Sequence, residues 1–441
     1  MTGSREFGVG RVTRFYVPLL LQAFSQSLTY PLVAGIVTHG AFGVDALTAF
    51  SQGQMIMFMI GSLGGGLVTT GMVFAKTWNG YFSFRRLNAI MMAALLALQC
   101  VPALPPFDGW VFEGIFALPP ELAAIARRML VLGAVMNGLF FLRNVPMVVL
   151  FNNYESGKAN LATFSRILVT LGCSTVFVPL DWTGPDWGLF ALTLGVGVEY
   201  AITWACARPF VRELRETTYP AGGLSARELC SLTLEQFRFT LPLSLGGCLL
   251  MVSPLLIAAF VGRSADAQAM LAVHYVTIGV ANPVGYAALR MQTVAIQFPP
   301  EYRGDRRLLV YAVAAGAVLG IVPFLFSLPS VGTWYFHGYQ NLPLELLPTA
   351  RTAVLLYSGV CITLAVRGRI EGLAAKAKRP GAVMAGQITY TVSLLLILTA
   401  LSFTSVPGWV MAVVGINAAP LCATAAIYAT VRRGLSTGLR L

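Results

Sequence analysis

The stretch Leu118–Arg143, LPPELAAIARRMLVLGAVMNGLFFLR, returns at Leu342–Arg367 as LPLELLPTARTAVLLYSGVCITLAVR, at an offset of 224 positions. Eight of the 26 positions are identical, among them Pro119 and Pro343, Glu121 and Glu345, Arg127 and Arg351, and Arg143 and Arg367. Composition alone would make two apolar helices share leucines. It would not make them share prolines and charges at one spacing. Moving outward, Arg14-Phe15 and Pro18-Leu19 correspond to Arg238-Phe239 and Pro242-Leu243, Arg85-Arg86-Leu87 to Arg306-Arg307-Leu308, and Gly157 to Gly381. The chain is a duplication, with halves 1–215 and 216–441 carrying the same elements in the same order.

The duplicated unit reads as a membrane bundle. Only 11% of residues are charged, 56% are hydrophobic, and the mean hydropathy is +0.73. A soluble domain carries roughly a quarter charged residues, so this surface cannot be coated against water. Apolar runs of about 20 residues, the length that crosses the hydrocarbon core as a helix, recur at 13–37, 46–75, 87–106, 128–151, 161–181, 185–207, 238–262, 267–297, 308–328, 350–375, 383–404 and 408–430. The runs are continuously apolar, which excludes the alternating pattern of a barrel wall. The expected fold is therefore an all-α integral membrane protein: twelve transmembrane helices as two parallel six-helix repeats, an N-lobe and a C-lobe. A cytoplasmic linker, about 208–237, joins them. Within it Ser225-Ala-Arg-Glu228 fits a capping box; Leu229, Leu232 and Phe237 could form the apolar stripe of a helix on the membrane surface, with a solvated linker helix as the favoured reading.

Charge sets the expected orientation. With the N-terminus in the cytoplasm, most of the 30 Lys and Arg fall on cytoplasmic segments, and the outer side holds only Arg127, Arg128, Arg263 and Arg351. This is the positive-inside asymmetry. It places both termini in the cytoplasm of an inner (plasma) membrane protein and reads the net charge of +12 as topology and lipid contact, not nucleic-acid binding. The first apolar stretch is too long for a signal-peptide core and should remain as span one. None of the seven cysteines has metal-ligand spacing. No metal or cofactor is expected, and the chain is expected to be a monomer among membrane lipids.

Ionisable residues inside spans are costly and are functional candidates for that reason. Arg143 and Arg367, being duplicates, are the sharpest: they could hold an anionic group by guanidinium recognition or snorkel to the interface. Glu199 in span six and His274 in span eight are candidates for ion coupling; for each the alternative is a structural ion pair or hydrogen bond. A neutral polar track, Gln22, Gln26 and Tyr30 at i, i+4, i+8 with Gln52 on the next span, suits a cavity wall, and Asn144 lies beside Arg143. Gly61-Ser-Leu-Gly-Gly-Gly66 suggests a close helix crossing or a bend. Catalytic motifs such as a Walker loop, H-E-x-x-H or G-x-S-x-G are missing. No catalytic residue is assigned, and the chain is read as a non-enzyme. A membrane-embedded enzyme, or accessory subunit of envelope glycan or lipid synthesis, is the rival of another class.

Two six-helix repeats each beginning Arg-Phe-x-x-Pro-Leu, followed by Tyr30-Pro-Leu-Val-Ala and Ala46-Leu-Thr-Ala-Phe50 and echoed by Ser253-Pro-Leu-Leu-Ile and Met270-Leu-Ala-Val273, resemble the multidrug/oligosaccharidyl-lipid/polysaccharide (MOP) exporter superfamily. The resemblance is nearest to progressive ankylosis protein-like transporters, with multidrug and toxin extrusion (MATE) proteins further off. It implies rocking-bundle alternating access in a secondary transporter or flippase that exports organic anions or lipid-linked saccharides, with H+ or Na+ as the coupling ion. Span one lacks the acidic residue of many cation-coupled drug extruders: none stands between Arg14 and His39. That weighs against the multidrug alternative.

Overall fold

The computed structural model describes residues 7–116, 118–218, 225–264, 266–302 and 305–433, without the side chains of residues 26–28, 30, 31, 44, 432 and 433. The described residues are helical throughout, with no strand. In chain order the helices are α1 (Val9–Thr38), α2 (Gly43–Ser62), α3 (Gly66–Phe74), α4 (Trp78–Cys100), α5 (Pro120–Asn152), α6 (Ser156–Phe177), α7 (Pro185–Thr218), α8 (Ala226–Val261), α9 (Ala267–Leu289), α10 (Met291–Gln297), α11 (Arg307–Ser327), α12 (Pro329–Gly332), α13 (Leu347–Tyr357), α14 (Val360–Lys376), α15 (Pro380–Ser402) and α16 (Gly408–Arg433). Each of the twelve expected spans falls on one helix or on a pair separated by a short break. Ten of these spans are long and apolar enough to cross a membrane. The other two expected spans fall on α1 and on the broken pair α9–α10.

The helices form two compact units: Met1–Phe24 with Leu245–Leu441, and Ser25–Ser244. These boundaries fall inside α1 and inside α8, whereas the sequence repeat divides at 215/216. In the first unit the start of α1 is tied in by hydrogen bonds from Tyr16 Oη to the Ala287 carbonyl (3.2 Å) and from Tyr311 Oη to Thr13 Oγ1 (3.0 Å). The Phe7 amide donates to Glu301 (2.6 Å), and Arg307 pairs with both Glu301 and Asp305. Its hydrogen bonds hold the Asp305 carboxyl down at about 2.

In the second unit the start of α8 buries a polar face. Thr240 Oγ1 lies 2.7 Å from Thr70 Oγ1, Thr233 Oγ1 lies 3.2 Å from Ser83 Oγ, and Gln236 Nε2 donates to the Gly80 carbonyl at 3.1 Å. This corrects the expected linker helix. The capping box is present, with the Glu228 amide donating to Ser225 Oγ and the Ser225 amide to Glu228, but it opens a helix of 36 residues continuous with span seven. Its inward face is Thr233, Gln236 and Thr240, while Phe237 is exposed. Where lipid is the solvent, apolar residues need not hide, and small polar residues serve as the helix-helix contact. α7 is described to Thr218, and α8 begins at Ala226. The last turns of α7 stay helical with an Arg212–Glu216 pair at i, i+4 (2.8 Å).

The glycine run in 61–66 both bends and crosses. It breaks α2 from α3, and a Cβ on Gly66 would stand 2.9 Å from Leu243 and Ser244. Glu121 and Glu345 sit in first turns as expected, but neither cap makes a side-chain hydrogen bond, so they act through the helix dipole.

The duplication extends to a feature the sequence reading missed. Seven-residue π-helical segments occupy Gly109–Ile115 and Thr333–Tyr339, again 224 positions apart. Each buries a phenylalanine, Phe112 and Phe336. Each is closed by the same long bond, from the Leu118 amide to the Phe112 carbonyl (3.0 Å) and from the Leu342 amide to the Phe336 carbonyl (2.8 Å). The wide turn delivers the chain to the Leu-Pro that starts α5 in one unit and the approach to α13 in the other.

Candidate functional site

A cavity of about 310 Å³ lies inside the unit that contains residues 245–441. Its wall comes from α8, α9, α13, α14, α15 and α16. The wall is mostly apolar and aromatic, with Arg367, His274, Asn282 and Ser253 as its principal polar groups. The sequence candidates Arg367 and His274 are thus brought to one cavity, which spacing could not reveal.

Arg367 is only 1% exposed. Its Nε donates to Glu371 Oε1 at 2.8 Å, one turn along α14, and its Nη2 donates to Gln387 Oε1 on α15. Gln387 Nε2 closes the triangle on Glu371 (3.1 Å). The guanidinium carbon stands 5.0 Å from the centre of the Tyr390 ring, within cation–π range. Nη1 makes no hydrogen bond among the described residues. The helix can carry this cluster because its other face is glycine. Cβ atoms on Gly368 and Gly372 would meet the backbone of Leu289 and Gln292, so α14 sits directly on the α9–α10 junction.

The equivalent arginine has a different partner. Arg143 Nη1 lies 2.7 Å from Glu199 Oε1, Arg166 Nη1 lies 3.1 Å from Glu199 Oε2, and Thr163 donates to the same carboxylate at 2.6 Å. Glu199 is fully buried, Arg166 is 3% and Arg143 7% exposed. Phe140 lies beneath both guanidinium groups, 4.7 Å from Arg143 and 5.9 Å from Arg166. Glu199 thus sits in a buried ion pair, and Arg143 is bonded to its carboxylate. Thr163 stands 224 positions before Gln387, so the same place on the next helix donates to the carboxylate in both clusters. The carboxylate itself sits on α7 in one unit and on the arginine's own helix in the other. Arg166 was missed by the sequence reading. Its signal was its place inside span five, where any ionisable residue is a candidate.

The remaining candidates scatter. Gln22 is buried, Gln52 and Asn144 are half-buried, and none borders the cavity. The side chains of Gln26 and Tyr30 fall outside the described residues. Asn137 joins helices, donating to Gln99 (2.6 Å) and to the Met57 carbonyl (3.1 Å), whereas Asn417 donates to the Val413 carbonyl of its own helix.

No protein-family model matches the chain, and no curated protein does. Solved structures do. A MOP-superfamily transporter from Pyrococcus furiosus, described as having a binding pocket of reverse polarity, matches with a TM-score of 0.71 at 13% identity, covering 99% of this chain and 98% of that one. The Vibrio cholerae MATE transporter VcmN in its bent form matches with a TM-score of 0.68 at 14% identity over 97% and 98% of the two chains. The eukaryotic MATE transporter AtDTX14 matches with a TM-score of 0.67 at 14% identity over 96% and 95%. The fold is that of the MATE transporters of the MOP superfamily. These neighbours are transporters, not enzymes. Among the described residues each unit holds a buried arginine cluster, and the one with Arg367 borders the 310 Å³ cavity.

Proposed function

We propose that this chain is a secondary transporter that exports a small organic anion by alternating access, with Arg367 as its anion contact. The observation that carries this reading is that Arg367, a buried arginine, is among the residues lining a mostly apolar cavity. Small-molecule sites are concave, largely apolar and carry few placed polar groups; about 300–1,000 Å³ is their usual size, so a cavity of about 310 Å³ suits a small molecule. A lipid-linked saccharide, the other substrate class the superfamily resemblance suggests, would ask for more hydroxyl-binding groups than this wall offers. The lack of an acidic residue in span one supports an anion and counts against the cation-coupled multidrug alternative. Arg143, Gln22, Gln26, Tyr30, Gln52 and Asn144 remain proposed substrate contacts of the other polar surfaces, and Glu199 and His274 remain the proposed coupling groups.

Arg367→Gln should lower binding of aromatic carboxylates by at least tenfold, read by calorimetry on purified protein in lipid nanodiscs. Arg367→Lys should recover part of it, because it keeps the charge but loses the fork. Undiminished binding in Arg367→Gln would remove the anion reading.

The proposed placement is a plasma (inner) membrane with both termini cytoplasmic. Single cysteines at Asp108 and Trp334 should then label from outside, and those at Asn153 and Lys376 from inside. Reversal of either pair would overturn the orientation.

A further inference from the structure

We propose that His274 carries a proton into this cavity together with the anion, so that the bound species is a neutral proton–anion pair. The inference rests on the anion reading of the same cavity and adds the proton that accompanies the anion.

The argument is a charge count. Arg367 is already balanced by Glu371 at 2.8 Å. The other titratable groups facing the cavity are tyrosines and a cysteine, whose ordinary forms are uncharged: Tyr275 and Tyr286 from α9, Tyr357 from α13, Cys361 from α14 and Tyr390 from α15; α8 and α16 contribute none among the described residues. The empty cavity is therefore neutral as long as His274 is neutral. His274 is 3% exposed, and its Nδ1 is buried without a hydrogen-bond partner. A lone imidazolium there would be an unpaired buried charge, which costs far more than a neutral ring.

A monoanion entering this cavity meets the mirror-image problem. Its charge would be the surplus one, since the Arg367–Glu371 pair sums to zero. Protonating His274 cancels both costs at once: the imidazolium gains an anionic partner, and the anion gains a second cation beside Arg367. The proton comes from water as the anion binds and returns to water when the anion leaves. No bond other than N–H forms or breaks. The loaded cavity carries no net charge from its ligand, so the translocating step is electroneutral.

The wall also selects the body of the anion. Four tyrosine rings and aliphatic side chains surround the polar groups, which fits an aromatic ring carrying one carboxylate. A sugar presents too many hydroxyls for it.

The test uses 2-naphthoate as the probe, on the full-length protein in nanodiscs. Calorimetry at pH 6, 7 and 8, in two buffers of different ionisation enthalpy, counts protons taken up on binding. The expected result is one proton per anion and an affinity that falls about tenfold per pH unit, the slope of one linked proton. His274→Gln should abolish proton uptake and flatten the pH dependence, with size-exclusion and melting controls confirming that it folds. Wild-type binding that is independent of pH, with no proton uptake, would overturn the role of His274 and leave the anion site standing. Proton uptake that survives in His274→Gln would overturn the assignment to this residue. Absence of saturable 2-naphthoate binding by the wild type at every pH would sink the anion reading and this inference with it.

Discussion

Glu199→Gln should destabilise the protein far more than Arg143→Gln, although the two residues form one ion pair. The cluster holds two guanidinium groups and a single carboxylate, all buried. Removing the carboxylate charge leaves two cations facing each other across a few ångströms, with no water to screen them. Breaking a buried pair in this way costs about 3–5 kcal/mol, a large share of the roughly 5–15 kcal/mol that holds an ordinary domain together. Removing Arg143 instead leaves Arg166 and Glu199 as a balanced pair, still supported by the Thr163 hydroxyl. Combining Glu199→Gln with Arg143→Gln should therefore recover part of the loss, because it takes away one of the stranded cations. Thermal unfolding in detergent, followed by tryptophan fluorescence, measures all three. A double variant at least as unstable as the sum of the singles would show that charge balance is not what Glu199 supplies.

The second large effect belongs to the glycine face of α14. A Cβ on Gly372 would stand 2.7 Å from the Ala295 side chain and closer still to the Gln292 carbonyl, and one on Gly368 would stand 2.8 Å from the Leu289 carbonyl. The obstacles are mainly backbone, which cannot rotate away as a side chain can. Overpacking typically costs about 1–3 kcal/mol, and Gly372→Leu should lie at or beyond the top of that range. It should also displace Arg367, which rides on the same helix one turn earlier. Gly279→Ala in α9, where nothing lies within 4 Å, is the control and should be neutral or stabilising, since alanine is the better helix former by about 1 kcal/mol. The ratio of monodisperse to aggregated protein on gel filtration reads the difference. Equal recovery of Gly372→Leu and Gly279→Ala would show that the close approach at α10 is not needed.

Much of the architecture was legible before any coordinates. Continuous apolar runs place twelve helical spans because a membrane leaves the backbone almost no other way to satisfy its hydrogen bonds. The offset of 224 paired the two halves, down to Arg143 with Arg367, and Ser225 with Glu228 marked the start of α8. Element ends were less legible. Span three was expected from residue 87, yet α4 begins at Trp78 behind a Thr77 cap whose side chain accepts from the Gly80 amide. Hydropathy follows the lipid boundary, and helices continue past it wherever a cap or a charge pair sustains them.

The site divided along the same line. Sequence alone determined which residues could matter, because any ionisable side chain within a span is expensive enough to need a reason, and it determined that two of them are duplicates. What those duplicates do was decided only in three dimensions. Arg143 meets a carboxylate 56 positions away on another helix, whereas Arg367 meets one four positions away on its own. No periodicity distinguishes these cases, since a long-range ion pair depends on which helix faces come together. The cavity that joins Arg367 to His274 is likewise a property of six packed helices, because a void exists only where side chains from several elements fail to fill the space between them.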